Sequence, residues 1–493
     1  MNAPQKTTIL VCAVSLFMLA NFPGFAQESF KLSAYKNPDY TYRMLDFNFN
    51  LDGNNYFRKE ILDDNLSNSN AFTRFNATLS PTYNARKNTA RYQGFQYARL
   101  GITPAWSYDR ETLESHVFQE DISKSRGSSF DFSAYSTNRF YNQKQQFIEL
   151  GFNLQSGLVL GKEDYESTPK TYPFKYKTTR QDYNIGIEIP VMVGIGRIEE
   201  VQDARLAVYI LEDLERSGDL TREPNADEIL ELAQFITRIK NKRYFDQRLR
   251  HISEITAVDS LLDAMGLKAQ SGASYYTLLN DNWSHSAGPV RSSGSRLSIG
   301  LRPSFFFQSF ETVNYFNDSI ATQPQLSDFK SEQEITGILL LAQYALEKPI
   351  NLYWQNSTNF SAGFSLSHQD NKTMSYEITS RRLNIAASNT VGYYPNSRTS
   401  LQLGAHASYN HNFFEYPEDE NEVYSFSPSL VIAGIHALAD YYVSPRLRLN
   451  LSLQSNATFE TEKRKPFGPW AEQKIQYNRF STYLAAGFVY SIF

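Results

Sequence analysis

Long stretches of this chain alternate apolar and polar residues with a period of two. Phe360, Ala362, Phe364 and Leu366 share one face of an extended segment, and Asn359, Ser361, Gly363 and Ser365 share the other. Leu447, Leu449, Leu451 and Leu453 stand opposite Arg448, Asn450, Ser452 and Gln454 in the same way. Alternation of this kind is a strand with one apolar face. The runs cover about ten to eighteen residues each, against a usual five or six in soluble sheets. A tilted strand crosses a bilayer in roughly nine to eleven.

About fourteen such segments follow one another from Thr41 onward. Backbone groups left unpaired in hydrocarbon are costly, so a sheet that spans it must close. The expected fold is an all-β transmembrane antiparallel β-barrel of about 14 strands with a small α-helical periplasmic insertion. A soluble sandwich has no need of such long strands. A solenoid would show a sequence repeat, and none is visible. Pro81, Pro104, Pro190, Pro303 and Pro428 fall within the expected strands, where each removes a ladder donor, so bulges are expected there.

Connections alternate between long polar stretches, at Asp52–Asn70, Asp109–Gly127, Glu163–Thr178, Glu311–Glu332 and Lys463–Tyr477, and tight turns. Parity puts the tight set, and both termini, on the periplasmic side. After Gly196 the period changes: Val201, Ala204, Val208 and Leu211 fall three and four apart, as on an amphipathic helix. Three helices are expected. The first spans about Ile198 to Arg216, the second starts at Asn225 with Glu228 as a capping-box partner, and the third follows Asp246 and ends at Gly266. The segments are then a signal peptide over 1–26, barrel strands 1–6 over 27–195, the periplasmic three-helix insertion over 196–291, and strands 7–14 over 292–493. The signal peptide is read from the apolar run Thr7 to Phe22 and from Gly24 and Ala26 before the cut. It holds the one cysteine, Cys12, so the processed chain has no disulfide and no thiolate metal site. A net charge of −4 gives no reason to expect a nucleic-acid partner.

The chain ends YLAAGFVYSIF. Gly487, Tyr490, Ile492 and Phe493 resemble the C-terminal assembly signal of Gram-negative outer-membrane β-barrel proteins. Ala485 stands where a polar residue is usual, and Phe493 is one residue out of phase. The resemblance implies residence in the cell outer membrane, contact with outer-membrane lipid and insertion by the barrel-assembly machinery.

With the leucine faces toward lipid, the opposite faces line a lumen. Its candidate charged residues are Arg74, Arg99, Glu149, Asp182 and Glu188 in the first half, and Arg302, Arg382, Arg446 and Arg448 in the second. Both signs occur, which argues against strong ion selectivity. A bland alternative has these charges pairing across the lumen and closing it. In the insert, Arg238, Lys240, Lys242, Arg243, Arg248 and Arg250 form a basic cluster that is either a solvated face or a dock for a periplasmic protein partner. A Glu149–Glu188 carboxylate pair is considered for acid–base work, but no catalytic motif accompanies it. No enzyme activity, cofactor or metal is expected. The leading expectation is a passive channel for small polar solutes, gated or narrowed by the insert. The alternative is a non-transporting envelope scaffold whose insert docks partner proteins.

Overall fold

The structure is a computed structural model. It describes residues 30–490 except 64–65, 115–118, 169–173, 243–246, 271, 287–289, 319–324, 374–375, 417–423, 445–446 and 465–472. The signal-peptide reading, Arg243, Arg446, Ile492 and Phe493 lie outside the described residues.

One antiparallel sheet dominates. Its first half holds β1 (Tyr40–Asp63), β2 (Leu66–Thr89), β3 (Tyr92–Glu114), β4 (Gln119–Tyr141), β5 (Gln146–Ser167), β6 (Phe174–Glu188) and the short β7 (Val191–Ile195) and β8 (Ile198–Glu200). The second half holds β9 (Ser292–Asp318), β10 (Gln325–Pro349), β11 (Trp354–Asn371), β12 (Tyr376–Tyr393), β13 (Thr399–Tyr416), β14 (Tyr424–Ser444), β15 (Leu447–Arg464) and β16 (Gln473–Tyr490). Neighbours in sequence pair in order, and β9 follows β6 across the insertion, so fourteen strands form the main path. β7 continues β6, pairing with both β5 and β9, and β8 adds a short ladder to β9. This is the fourteen-stranded antiparallel β-barrel fold with a helical insertion.

Alternation sorts the two faces. Leu297, Ile299 and Leu301 are 52%, 51% and 47% exposed on the outer face, while Ser298 between them is buried. An outward apolar band with a polar interior is what a hydrocarbon surround selects. The sheet curls back on itself. Trp283 and Ser286 share a cavity with Tyr40, Tyr42 and Met44 of β1, and His285 between them packs its ring on Tyr442 of β14. β1 and β16 are the edges of the pairing order, with no ladder recorded between them among the described residues.

The strands run further than alternation indicates. The stretch Asp52 to Asn70, expected as a long polar loop, is the continuation of β1 into β2 in unbroken register to Ile61↔Ser67. At about 3.3 Å per residue and a tilt near 40°, a 24-residue strand rises roughly 60 Å, well beyond an apolar band of about 25 Å. The extensions carry polar residues on both faces with aromatic and aliphatic ones scattered among them, so pairing persists where period-two hydrophobicity stops.

The prolines make no bulges. In β2–β3, pairs lapse beside Pro81 and Pro104, yet Asn76↔Ala105, Leu79↔Ile102 and Thr82↔Arg99 keep one offset. Pairs lapse in the same way beside Pro428, between His411↔Ser429 and Phe414↔Phe426. Pro190 separates β6 from β7, but both pair with β5 in a single register. Pro303 stands opposite that break, and its carbonyl accepts from Ile189. A proline deletes a donor without adding a residue, so the count along the strand is unchanged. The register shifts that do occur lie at Ile61/Asp63 and Tyr442/Ser444.

The insertion holds four helices rather than three: α1 (Gln202–Arg216), α2 (Ala226–Lys240), α3 (Gln247–Ala264) and α4 (Ala273–Ser284). Residues 198–200, expected at the head of the first helix, are β8. Asn225 caps α2, accepting from the amides of Asp227 and Glu228, and Glu228 returns the bond to the Asn225 amide. Gly218 and Gly266 end α1 and α3 with φ of +77° and +67°, a conformation that suits glycine. The helices share one core, built from residues such as Leu214, Leu232, Ile236, Leu262 and Tyr275. Phe30, Leu32 and Tyr35 from the N-terminal segment join it, and so does Leu352 from the β10–β11 turn. The insertion is therefore packed on the tight-turn end of the barrel as a cap.

Candidate functional site

The cap is fastened to four of the tight turns and touches the end of β14. Its strongest anchor is Arg291, which is fully buried just before β9. Its guanidinium donates to the carbonyls of Leu352, Asn351 (2.8 Å) and Trp354 (2.9 Å) and to Gln355 Oε1 (3.0 Å) in the β10–β11 turn. At β12–β13, the Tyr209 hydroxyl donates to the Tyr394 carbonyl at 2.8 Å, and Arg398 pairs with Asp281. Burial pushes the Tyr209 hydroxyl up to about 12, so it stays protonated and able to donate. At β2–β3, Arg197 donates to the carbonyls of Thr89 (2.8 Å) and Ala90 (3.0 Å). Gly196 donates to the Gln145 carbonyl at β4–β5, and His285 meets Tyr442 beside β14–β15.

Between the cap and the feet of β1 and β2 lies a cavity of about 500 Å³. Tyr40, Tyr42, Met44, Asn84 and Arg86 form its barrel wall, and Asp203, Lys240, Arg250, Glu254 and Trp283 form its cap wall. Its charges come in pairs: Lys240 with Asp203 at 2.9 Å, Arg250 with Glu254 at 2.7 Å and Arg86 with Glu200 at 2.9 Å. Burial raises the Glu200 carboxyl, with Arg86 opposing the shift. Asp203 also accepts from Thr237 at 2.6 Å, and Thr237 contacts the Tyr35 hydroxyl at 2.7 Å. The Lys240 ammonium sits 5.7 Å from the Trp283 ring, and the Trp283 indole donates to Glu254.

A second cavity of about 500 Å³ lies higher in the lumen, lined by Asp52, Arg74, Thr103, Glu163, Thr178 and Arg180 among others. Every described lumen candidate has inward register. Arg99 stands between Thr82 and Ser133. Arg74 donates to Asn76, and Arg382 donates to Asn412 at 2.7 Å. The ion pairs join neighbours along the wall: Arg139–Glu149 (2.5 Å), Arg180–Asp182 (2.6 Å), Arg302–Glu188 (3.8 Å) and Arg448–Asp440 (3.9 Å). None of these four bridges the lumen, contrary to the reading in which the charges pair across it.

The two carboxylates considered for acid–base work are apart. Glu149 stands opposite Met192 and Glu188 opposite Asn153, four residues along β5 or roughly 13 Å, and each has its own arginine. In the basic cluster, Arg238 and Lys242 are exposed. Lys240 and Arg250 turn inward to their carboxylates, because their helices present those positions to the cavity rather than to solvent. Arg248 lies on α3. Gly487 and Tyr490 pair with Asn450 and Leu447. Among the described residues no group of three or more His, Cys, Asp and Glu is placed to hold a metal. Arg291 and the Asp203–Thr237–Tyr35 chain escape sequence reading, because each is made by contacts between distant segments.

No protein-family model matches the sequence, and no curated protein matches it. Solved structures similar to it include the translocator domain of the autotransporter NalP from Neisseria meningitidis, 7% identical, covering 88% of this chain and 95% of that one with a TM-score of 0.21. The outer-membrane expressed OmpT of Vibrio cholerae is 8% identical over 87% and 99%, with a TM-score of 0.22. The transport unit of the autotransporter AIDA-I from Escherichia coli is 8% identical over 82% and 91%, with a TM-score of 0.21.

Proposed function

We propose that the protein is an outer-membrane β-barrel acting as a passive channel for small polar solutes, with its cap in the periplasm narrowing the inner mouth. Solute leaves by the cavity between the cap and β1–β2. The observation that carries this reading is the placement of the charges: the ion pairs lie along the wall, and two cavities of about 500 Å³ remain inside. Paired charges of both signs suit uncharged or zwitterionic solutes better than a single ion type. The apolar outer band and the C-terminal segment support lipid and the barrel-assembly machinery as partners.

Planar-bilayer recording on the purified full chain tests the reading. Stepwise conductance is expected, rising several-fold when Arg197 to Arg291 is replaced by a short turn. A barrel that stays sealed in both forms sinks it.

A docking role is the second reading. Ile252 on α3 and Tyr276 on α4 are 56% and 42% exposed, and Arg238 and Lys242, in and just after α2, are exposed too. Under that reading Ile252→Asp abolishes crosslinking to a periplasmic protein and leaves conductance unchanged.

A further inference from the structure

We propose that the upper lumen is a binding track for a neutral saccharide, formed by inward-facing aromatic rings on β5, β6, β9 and β10. This deepens the channel reading by naming a substrate class. Tyr165, Tyr176 and Phe316 form a row across three adjacent strands, with ring centroids 4.8 and 5.9 Å apart. Four to six residues further along β9, roughly 13–20 Å away, Phe310 and Phe329 meet at 6.1 Å. Their direction follows from register. Tyr176 shares the face of Thr178 and Arg180, which line the upper cavity, and Phe316 and Phe310 share the face of Asn314 and Arg302.

These rings are not the outward aromatic girdle that a bilayer interface selects. That role needs the opposite face, where Tyr183 and Phe307 stand. Phe316 and Phe329 are nevertheless 41% and 44% exposed. Exposed rings facing a wet interior are unfavourable unless something covers them.

What covers them must also satisfy polar groups. Thr178 donates to Asn314 at 2.8 Å between the rings, and Glu163 accepts from Ser123 at 2.7 Å. The Arg180 guanidinium lies 5.1 Å from the Phe310 ring and pairs with Asp182, and its side chain is still 56% exposed. An acyl chain would make no use of the hydrogen-bonding capacity that these groups keep beyond their mutual bonds, and would take it away from water. A free anion would have no use for the rings. A saccharide has both surfaces: C–H faces that stack on aromatic rings, and hydroxyl edges that bond to amide, hydroxyl, carboxylate and guanidinium groups.

The test uses the full chain purified in lauryldimethylamine oxide, a detergent without a sugar head. Maltotriose, cellotriose and N,N′,N″-triacetylchitotriose are titrated and followed by calorimetry, with palmitate and inorganic phosphate as the competing classes. At least one trisaccharide is expected to bind saturably. Tyr176→Leu is expected to weaken it about tenfold and Tyr176→Phe to leave it nearly unchanged, since the ring is what is needed. Phe329→Leu gives a second, independent loss. Heat-dependent gel mobility confirms that each variant is folded. The proposal is overturned if no trisaccharide binds, if palmitate or phosphate binds in their place, or if folded Tyr176→Leu and Phe329→Leu both bind as the parent does. Binding is read without conductance. A sealed barrel that binds sugar ends the channel reading alone, and a conducting barrel that binds none ends this one alone.

Discussion

The two sides of the cap are held by different physics. Toward β10–β13 it is fastened by buried donors to backbone carbonyls, with Arg291 and Tyr209 closing on the two turns and Arg398–Asp281 beside them. Toward β1–β2 it stands off across a wet cavity, crossed by the Arg86–Glu200 pair, and among the described residues its bonds to backbone carbonyls there are confined to Arg197 at the β2–β3 turn. Hydrogen bonds from a buried charge to backbone are strong, and they leave unsatisfied groups behind when broken. Partly wet ion pairs are worth less. A cap built this way is expected to hinge on its docked side and to give way, if anywhere, on the open side.

The largest effect should come from the docked side. Arg291→Ala takes four hydrogen bonds of a buried guanidinium away from the β10–β11 turn, and the cap should lose about 3–5 kcal/mol of its docking stability. Amide exchange in α1 and α4 should rise toward the opening limit while the strand ladders keep their protection. Arg291→Lys should recover only part of the loss, because one ammonium cannot reproduce the planar fork that reaches three carbonyls and an amide. Unchanged exchange in Arg291→Ala would show that the cap is held elsewhere and would erase the contrast between the two sides.

On the open side, Lys240→Met removes the partner of Asp203, whose side chain is 11% exposed. The Thr237 hydroxyl remains as its donor, so the loss should be about 2 kcal/mol, less than for Arg291. Adding Asp203→Asn should return most of it, since a neutral pair leaves no buried charge. Chemical denaturation of the cap, followed by Trp283 fluorescence, reads both. A single-variant loss as large as that of Arg291→Ala would mean that the helix contacts facing the open cavity matter to the cap as much as its docked turns do.

The same contrast explains what was legible in the sequence. Strand identity and the count of fourteen are visible, because burial of one face imposes a period of two over each span. The upper halves of the strands are not visible: along 54–61 and 67–70 both faces meet water, and pairing leaves no period-two hydrophobic mark. Tyr165, Tyr176 and Phe316 fall in or beside stretches expected as loops, and only the ladder register shows that they form one row. The helix α4 was hidden for another reason. Tyr275, Leu279 and Trp283 have helical spacing, but its N-cap, Gly272, makes no side-chain bond, and no start signal precedes it. By contrast, Asn225 and Glu228 announced α2 correctly, since a capping box is a local contact. Arg291 reads as one more basic residue, because its partners lie sixty residues on and are backbone carbonyls, which sequence does not distinguish.

The smallest expected effect sharpens the comparison by lying on neither side. Glu228, on the outer end of α2, has its carboxyl held down to about 2 by hydrogen bonds from Arg222 and from the Asn225 amide. Unfolded, the group titrates near 4.3. A depressed folded value means that the contribution is complete above the unfolded one and is lost as pH falls through the range from about 4.3 to about 2. Because the box ties only one helix turn, its worth is about 1 kcal/mol. Amide exchange at Asp227 and Glu228 should therefore quicken between pH 5 and pH 2 in the parent, after correction for intrinsic rates. Glu228→Gln should remove that pH dependence, while its amide keeps a weaker bond to Arg222's neighbourhood out of the titration. Neither change should reach α1 or α4, whose docking rests on Arg291 and Tyr209. If acid loosened α4 together with the first turn of α2, the cap would be one cooperative unit without a firm and a yielding side.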